Sequence, residues 1–237
     1  MTGLTAGELA RLCAVLPALD EADALPAALA GRPPGLRVVV VDNGSTDATA
    51  RVAAGLGCEV VAEPRRGYGA ACLRGITAAA PAEVVVLLDA DASLDWADLA
   101  AVAGPVLRGA ADLVLGSRVP ALREPGAMLW HVAFANTVLG GLCGLLAGVR
   151  ARDIGPYRAA PREALLGLGI ADRSYGWPLE MVLRAGRAGW RVVEVPVRYR
   201  RRVGTSKVTG RAWPTLKAAT RMARVLLVTA LTSRSPR

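Results

Sequence analysis

The chain has 237 residues, of which 53 % are hydrophobic and 21 % are charged. This length and composition are typical of one large globular domain, or of a core with a small annex, and they exclude a low-complexity chain. The net charge of +9 is concentrated in residues 191–237, which contain 12 Lys/Arg and one acid, so we expect an anionic partner: phosphates, nucleic acid or an anionic membrane surface.

Short apolar runs alternate with helical segments through the first half of the chain. Strands are predicted at 12–17, 36–42, 58–63, 83–89 and 111–117, and helices at 21–30, 45–57, 69–80 and 95–109. Alternation at this spacing indicates an α/β domain with a mostly parallel sheet, and continuous apolar strands indicate helices on both faces. A Ser/Thr cap is predicted to open the helix at 45–57.

The alternation stops after Arg118. The uncharged segment at 126–149 is long enough to span a bilayer, but it contains a histidine, an asparagine and five glycines. These residues favour a buried or membrane-surface helix over a membrane span. A helix near 178–188 and a strand at 190–200 are predicted to follow.

The last predicted helix covers residues 211–231 and is basic and amphipathic. Lys217, Arg221 and Arg224 fall on one side at helical spacing, and apolar residues fall on the other. A helix of this kind can rest on an anionic membrane surface. We therefore expect a domain at 1–210 followed by a basic helix and tail at 211–237.

The chain gives little support for a secreted or disulfide-linked protein. The four cysteines show no CxxC pair, and no long apolar run opens the sequence. Reduced thiols in a cytoplasmic protein are the simplest interpretation.

Two aspartates, Asp89 and Asp91, end the apolar run of the fourth strand and are separated only by Ala90. Like charges this close repel, and burying them unpaired is costly. Hard divalent cations prefer oxygen ligands, typically one or two carboxylates plus substrate phosphates. A metal site is one interpretation, and a turn in which Asp91 caps the next helix is the other.

Polar residues also follow the other predicted strands, at the edge where open α/β sheets bind ligands. The segments are PALDE (17–21), DNGSTD (42–47), EPRRGYG (63–69) and GSR (116–118). DNGSTD is also typical of a turn, which is an alternative explanation for its polar residues. GYGAAC is weak as a dinucleotide fingerprint, and a glycine loop against a nucleotide or sugar fits it better.

A basic segment, RRRVGTSK at 200–207, surrounds Gly204 with Arg202, Ser206 and Lys207. Such a loop can clamp a diphosphate, although a solvated charge run has the same composition. Glu180 is a candidate base, but a lone glutamate on a helix is more often at the surface. His131 is the only histidine, which leaves little for a histidine-based triad.

Taken in order, these motifs resemble the family 2 glycosyltransferases of the GT-A fold, and most of all the dolichol- or polyprenyl-phosphate mannose and glucose synthases. The resemblance covers nearly the whole chain, from VLPALDEADAL (15–25) through LLDADAS (87–93) to VVEVPVRYRRRVGTSKVTG (192–210). It implies a Rossmann-like, mostly parallel sheet flanked by helices.

The resemblance also implies roles for individual residues. Residues that would bind the nucleotide sugar are Pro17, Leu19, Asp20, Glu21, Asp42, Asn43, Gly67, Asp89, Ala90, Arg118, Ser206 and Lys207. Asp89 and Asp91, with Ser93 near a third ligand position, would hold Mg²⁺ or Mn²⁺, and Arg202 would neutralise phosphate charge. Asp153, Gly155, Tyr157 and Arg158 would lie near the acceptor.

Two departures from the family pattern leave the nucleobase open between UDP and GDP. Asp20 stands where the family usually has Asn, and Asn43 stands where many members have a second Asp. The implied reaction is transfer of a sugar from a UDP-glucose or GDP-mannose type of donor to a polyprenyl phosphate. A peripheral position on the cytoplasmic face of a membrane would suit that acceptor.

The acceptor chemistry decides whether a base is needed. A lipid phosphate is already largely an anion at pH 7, so it needs no strong general base. A hydroxyl of a soluble small molecule or polysaccharide, the alternative acceptor, would need one, and Glu180 is then the candidate.

Three other functions fit parts of the sequence. The DADAS segment also matches the nucleophile motif of HAD-type phosphohydrolases, which normally follows the first strand rather than the fourth. A sugar nucleotidyltransferase would need a Gly-rich basic loop after the first strand, and the segment PALDEADAL at that position has none. No aromatic stacking platform accompanies the basic tail, so we expect no nucleic-acid partner.

Overall fold

A computed structural model describes residues 3–204 and 212–231. Within these residues the strands are β1 Leu12–Ala18, β2 Arg37–Asp42, β3 Glu59–Ala62, β4 Val84–Leu87, β5 Leu113–Ser117, β6 Arg158–Pro161 and β7 Val192–Pro196. They form one sheet in the order β3-β2-β1-β4-β6-β5-β7. The α/β class and the mostly parallel sheet are confirmed.

Helices connect the strands and cover the sheet. They are α1 Ala6–Ala10, α2 Leu25–Leu29, α3 Thr49–Gly55, α4 Tyr68–Ala78, α5 Leu99–Leu107, α6 Trp130–Ala147, α7 Arg162–Gly167, α8 Trp177–Arg187 and α9 Ala212–Leu231, with 3₁₀ turns at Trp96–Asp98 and Pro120–Leu122. The predicted helix at 95–109 is thus a 3₁₀ turn that continues into α5.

Strand β6 is antiparallel to β4 and β5, and the sequence pattern does not predict it. Its four residues are an arginine, two alanines and a proline, without the branched apolar side chains that mark the other strands. β6 places Leu87 of β4 opposite Arg158. The segment before β6 is thereby drawn to the end of β4 that leads into Asp89.

The sheet is buried on both faces, as the continuous apolar strands indicate. Alternate residues of β1 point to opposite sides, with Leu12, Ala14 and Leu16 in one core and Cys13 and Val15 in the other. The first core packs against α2, α3 and α5, and the second against α4, α6, α7, α8 and α9.

The predicted Ser/Thr cap of α3 is wrong, because α3 begins at Thr49 and its N-cap, Ala48, makes no side-chain hydrogen bond. The polar side chains before α3 and at its first residue accept hydrogen bonds from the loop after β1 instead. Ser45 Oγ accepts from Asp20 N at 3.0 Å, and Thr49 Oγ1 accepts from Glu21 N at 2.8 Å. These bonds join the polar segments that follow β1 and β2.

Helix α6 is not a core helix. Trp130 is 80 % exposed, Phe134 65 % and Leu145 78 %, and 17 % of the helix is buried. By length and composition it could cross a membrane, and no other helix in the described ranges 3–204 and 212–231 meets that test. The buried alternative is therefore excluded, while the membrane-surface alternative stays a prediction.

Helix α9 confirms the predicted C-terminal helix. Its Val225 is buried in the second core, where α9 packs against α8. Leu227, Val228 and Leu231 are exposed. Ser206, Lys207 and the side chain of Lys217 lie outside the described residues.

Candidate active site

The carboxyl ends of β1, β2 and β4 carry the predicted acidic residues to one edge of the sheet. β1 pairs in parallel with β2 and with β4, so the three strands end side by side. Asp20 and Glu21 follow β1, Asp42 ends β2, and Asp89 and Asp91 follow β4. This edge is where ligands bind in open α/β sheets.

Asp91 is buried, with only 3 % of it exposed, and Asp89 is partly buried. Burial, and next the charge of Asp91, raise the pKa of Asp89 to about 7, while Arg202, Arg118 and a hydrogen bond from Tyr68 act in the opposite direction. Ala92 has a φ of 63°, a left-handed conformation that is uncommon for a residue with a β-carbon. The tight turn therefore holds two mutually repelling carboxylates at the strand end.

Arg202 supplies positive charge to this pair. Its Nη2 lies 2.7 Å from Asp91 Oδ2 and 3.9 Å from Glu21 Oε1. Two backbone bonds hold its segment in place, from Val203 N to Asp91 O at 3.0 Å and from Arg200 N to Ser93 O at 2.9 Å. The basic segment near the C-terminus is thus fastened directly to the aspartate turn.

The aspartate turn fits a divalent cation that takes part of its coordination from a substrate. The Ser93 hydroxyl is buried and has no hydrogen-bond partner among the described residues. In the described part of the chain, no third His, Cys, Asp or Glu completes a protein-only cluster with the two aspartates. Mg²⁺-type sites commonly use one or two carboxylates and complete their shell with water and phosphates.

The alternative interpretation as a turn is compatible with this site. Asp91 Oδ1 accepts a hydrogen bond from Ser93 N at 2.9 Å. The following 3₁₀ turn is capped by Asp95, which accepts from Ala97 N at 2.9 Å, rather than by Asp91. Oδ2 of Asp91 is the oxygen that meets Arg202.

Asn43 is buried and hydrogen-bonds the loop after β3. It is 5 % exposed, its Nδ2 donates to Glu63 O at 3.0 Å and Arg65 O at 2.8 Å, and its Oδ1 accepts from Gly67 N at 2.7 Å. These bonds use both N–H groups of the amide and one lone pair of its oxygen, so Asn43 holds the loop after β3, and its contact with a nucleobase stays a prediction.

Asp20 and Asp42 also organise their own loops. Asp20 has a φ of 51°, which Asn and Asp tolerate better than most residues, and its Oδ1 accepts from Thr46 N at 2.6 Å. Asp42 Oδ1 accepts from Ser45 N at 2.9 Å. Of the other predicted residues, Pro17 and Leu19 are half-buried beside them, whereas Ala90 packs into the core.

The glycines of GYGAAC are explained by packing of the chain against itself. A β-carbon on Gly67, whose φ is 145°, would lie 2.1 Å from Arg173 O, and one on Gly69 would lie 2.6 Å from Trp177 Cβ. The loop lies directly on the segment that precedes α8, which accounts for both glycines. The expectation that this loop faces a nucleotide or sugar stays a prediction.

Tyr68, between those glycines, is a site residue that the motifs did not single out. Its hydroxyl acts to lower the pKa of Asp89, and its ring packs edge-on against Trp177, with the ring centroids 6.4 Å apart. Burial raises its pKa, so the hydroxyl is a donor. A lone tyrosine at a helix start carries no local signal for this contact.

Arg118 is fixed beside the site by Asp153. Its Nε and Nη2 each donate to the carboxylate at 2.7 Å, and its guanidinium lies 5.0 Å from the centroid of the Tyr199 ring. Although burial opposes the charged form, these bonds raise the pKa of Arg118. Gly155 allows this packing, since a β-carbon there would lie 2.5 Å from Gly116 O.

Tyr157 and Arg158 lie behind the site surface. Tyr157 is 0 % exposed and Arg158 is 1 % exposed. Arg158 Nε donates to Gly155 O at 2.7 Å, and Nη2 donates to Ile154 O at 3.2 Å. Arg158 thus supports the loop that contains Asp153, and the placement of Tyr157 and Arg158 near the acceptor stays a prediction.

Glu180 is buried at the start of α8, not at the surface. Its carboxylate accepts from Ala171 N at 3.0 Å, Asp172 N at 2.7 Å and Arg184 Nε at 2.6 Å. These bonds account for its burial and make it a residue that fixes the loop before α8.

Comparisons with known proteins agree with this fold and motif order. The model of the family described as "Glycosyl transferase family 2" matches residues 13–163. An uncharacterised glycosyltransferase of Mycobacterium tuberculosis is 47 % identical over 199 residues, which cover 83 % of this chain and 88 % of the relative. A polyprenol monophosphomannose synthase of Mycolicibacterium smegmatis is 32 % identical, covering 84 % of this chain and 82 % of the relative.

A solved structure has the same fold. Glucosyl-3-phosphoglycerate synthase from Mycobacterium tuberculosis, crystallised with Mn²⁺, UDP-glucose and phosphoglyceric acid, superposes with a TM-score of 0.72 at 23 % identity, covering 99 % of this chain and 87 % of that one. The resemblance noted in the sequence is confirmed at the level of family and fold. The chain belongs to glycosyl transferase family 2.

Proposed function

We propose that this glycosyltransferase moves a sugar from a UDP- or GDP-sugar to a polyprenyl phosphate, with Mg²⁺ or Mn²⁺ bound at Asp89 and Asp91. The observation that carries the donor assignment is the buried aspartate turn, with the Ser93 hydroxyl beside it. When bound, the cation would stabilise negative charge on the departing diphosphate. The solved structure of similar fold holds Mn²⁺ and UDP-glucose, which supports this choice of cofactor and donor class.

The residues of the chain would then bind and orient the reactants. Arg202 Nη2 lies 2.7 Å from Asp91 Oδ2. A cation that enters the site would compete with Arg202 for Asp91, and a diphosphate would compete with Asp91 for Arg202. Released from Asp91, the guanidinium can donate to phosphate oxygens, for which its planar fork is suited. Arg118, held by Asp153, provides a second fixed positive charge.

An exposed apolar helix supports the lipid acceptor. Trp130, Phe134 and Leu145 of α6 face solvent, and a bilayer would cover them. A phosphate acceptor is already anionic at neutral pH and needs no base, in keeping with a Glu180 that is occupied by structural bonds. A peripheral position on the cytoplasmic face of a membrane follows from the same proposal.

The test is a transferase assay that crosses donors with acceptors. UDP- and GDP-sugars are each supplied with Mn²⁺ to a polyprenyl phosphate in vesicles and, separately, to 3-phosphoglycerate. We expect transfer to the polyprenyl phosphate from one nucleotide class, and loss of transfer with EDTA. Transfer confined to the soluble acceptor would establish the alternative, and phosphate release without a donor sugar would indicate a phosphohydrolase.

A further inference from the structure

A large basic cavity lies on the face of the sheet that carries α8 and α9. Its volume is about 810 Å³, and it is enclosed by the loop after β3, the segment before α8, and helices α8 and α9. Among the residues that the structure describes, seven arginines line it, including Arg65, Arg66, Arg221 and Arg224, against two carboxylates. Asp89, Asp91, Arg118 and Arg202 do not line it, so it is distinct from the proposed donor site.

The carboxylates in the cavity cannot balance the arginines. Glu180 is bonded to Arg184 and to two backbone amides, and Asp172 accepts from Ser174 N at 2.6 Å and Gly176 N at 3.2 Å. Seven positive and two negative side chains leave a net charge of +5 on the lining. Like charges gathered in one cavity raise its positive potential, which attracts a multiply charged anion.

The chemistry of arginine points to phosphate. A guanidinium offers planar pairs of donors that match phosphate oxygens, and it stays charged at all physiological pH values. Arg66 is already oriented by a bond from Nη2 to Gly44 O at 2.7 Å. This bond also connects the cavity wall to the loop that follows β2 at the proposed donor site.

The rim of the cavity distinguishes a lipid phosphate from a soluble one. Val228 of α9 lines the cavity and is 51 % exposed. Leu227 and Leu231 on the same helix are 61 % and 75 % exposed. A soluble phosphate ester would gain nothing from these apolar side chains, whereas the acyl chains of a phospholipid would cover them.

We propose that this cavity binds the phosphate headgroup of an anionic membrane phospholipid and so holds the enzyme on the bilayer. The occupant differs from the sugar acceptor, and the site requires neither donor nor metal. This inference therefore goes beyond the proposed transferase activity.

The experiment is co-sedimentation of the full chain with phosphatidylcholine vesicles that contain or lack phosphatidylglycerol, without donor, metal or polyprenyl phosphate. The cavity variant is Arg221→Gln with Arg224→Gln. The control is Arg51→Gln with Arg108→Gln, which removes equal charge from α3 and from the C-cap of α5, helices on the other face of the sheet. We expect the cavity variant alone to lose at least about tenfold in affinity for the phosphatidylglycerol vesicles.

A charge-preserving variant separates a headgroup site from diffuse attraction. Arg221→Lys with Arg224→Lys retains both charges but removes the planar donor pairs. We expect its affinity to fall several-fold, with an unchanged circular dichroism spectrum. Wild-type affinity in this variant, or equal losses in the cavity and control variants, would overturn the headgroup site.

Glycerol 3-phosphate tests the source of the phosphate. As a soluble phosphate ester it should displace the protein from the vesicles only weakly, and displacement at micromolar concentrations would contradict a lipid occupant. Since no arm of this experiment measures sugar transfer, a failure here is distinguishable from a failure of the proposed reaction.

Discussion

Asp91 is the residue on which the proposed chemistry most directly depends. Its Oδ1 accepts a hydrogen bond from Ser93 N, and its Oδ2 forms an ion pair with Arg202. The first bond holds the turn, and the second occupies the oxygen that a cation would take. A substitution that preserves shape and removes charge therefore separates metal binding from folding.

We predict that Asp91→Asn lowers metal-dependent transfer by at least about 100-fold, because electrostatic stabilisation of the departing diphosphate is lost. The assay uses saturating donor with Mn²⁺, and circular dichroism checks the fold. Asp23→Asn, an exposed carboxylate in the loop before α2, is the control and should retain activity. Activity of Asp91→Asn comparable to that of the control would refute the metal role.

The Arg118–Asp153 pair gives a prediction about stability and pH. Despite burial, which opposes the charge, hydrogen bonds from Arg118 lower the pKa of Asp153. The stabilisation is therefore present above the unfolded pKa of about 3.9 and is lost as the pH falls through the lower folded value. We predict that Asp153→Asn lowers the free energy of unfolding by about 3–5 kcal/mol at pH 7.

Urea unfolding at a series of pH values measures this contribution. The difference between wild type and Asp153→Asn should be constant near neutrality and should shrink in strong acid. A difference that is absent at pH 7 would show that the pair does not stabilise the fold.

At the scale of elements, the loop after β3 and the segment before α8 depend on each other. Gly67 lies against Arg173 O, and Asn43 fastens the same loop to β2. The two elements are far apart in the chain, so the requirement for glycine cannot be inferred from turn chemistry alone. Packing of the two segments against each other is sufficient to require glycine at this position.

We predict that Gly67→Ala destabilises the protein by about 2 kcal/mol or more, because its β-carbon meets a backbone carbonyl. Gly109→Ala is the matched control: its φ of 67° is also left-handed, but no atom lies within 4 Å of the added carbon. That variant should lose only about 1 kcal/mol. Similar midpoints for the two variants in urea unfolding would contradict the packing explanation.

At the scale of the whole molecule, the exposed apolar side chains of α6 and α9 belong to helices that pack against the same helix, α8. Both lie on the face of the sheet opposite to α2, α3 and α5. The molecule therefore has one face with exposed apolar helices and a basic cavity, and another without them.

We predict that Trp130→Ser with Phe134→Ser reduces transfer to polyprenyl phosphate in vesicles at least about tenfold, since two large side chains no longer enter the bilayer surface. Mn²⁺ and nucleotide binding, measured by calorimetry, should stay unchanged because α6 does not carry the aspartate turn. A variant with wild-type transfer would show that α6 does not contact the membrane during the reaction.

The sequence by itself determined the α/β class, the edge of the sheet that carries the polar residues, and the family. Apolar periodicity is local, and parallel strands bring their carboxyl ends together, so motifs such as DADAS can be placed before any coordinates are known. The five strands predicted before Arg118 are all present, and their ends differ from the prediction by no more than two residues.

Only the tertiary structure decided which partners those residues have. The contact of Arg202 with Asp91, the bracing role of Asn43, the buried bonds of Glu180 and the insertion of β6 all join segments distant in sequence. The arginine cavity likewise draws its lining from four segments. Charge pairing and close packing depend on distances in space, and local sequence patterns do not contain those distances.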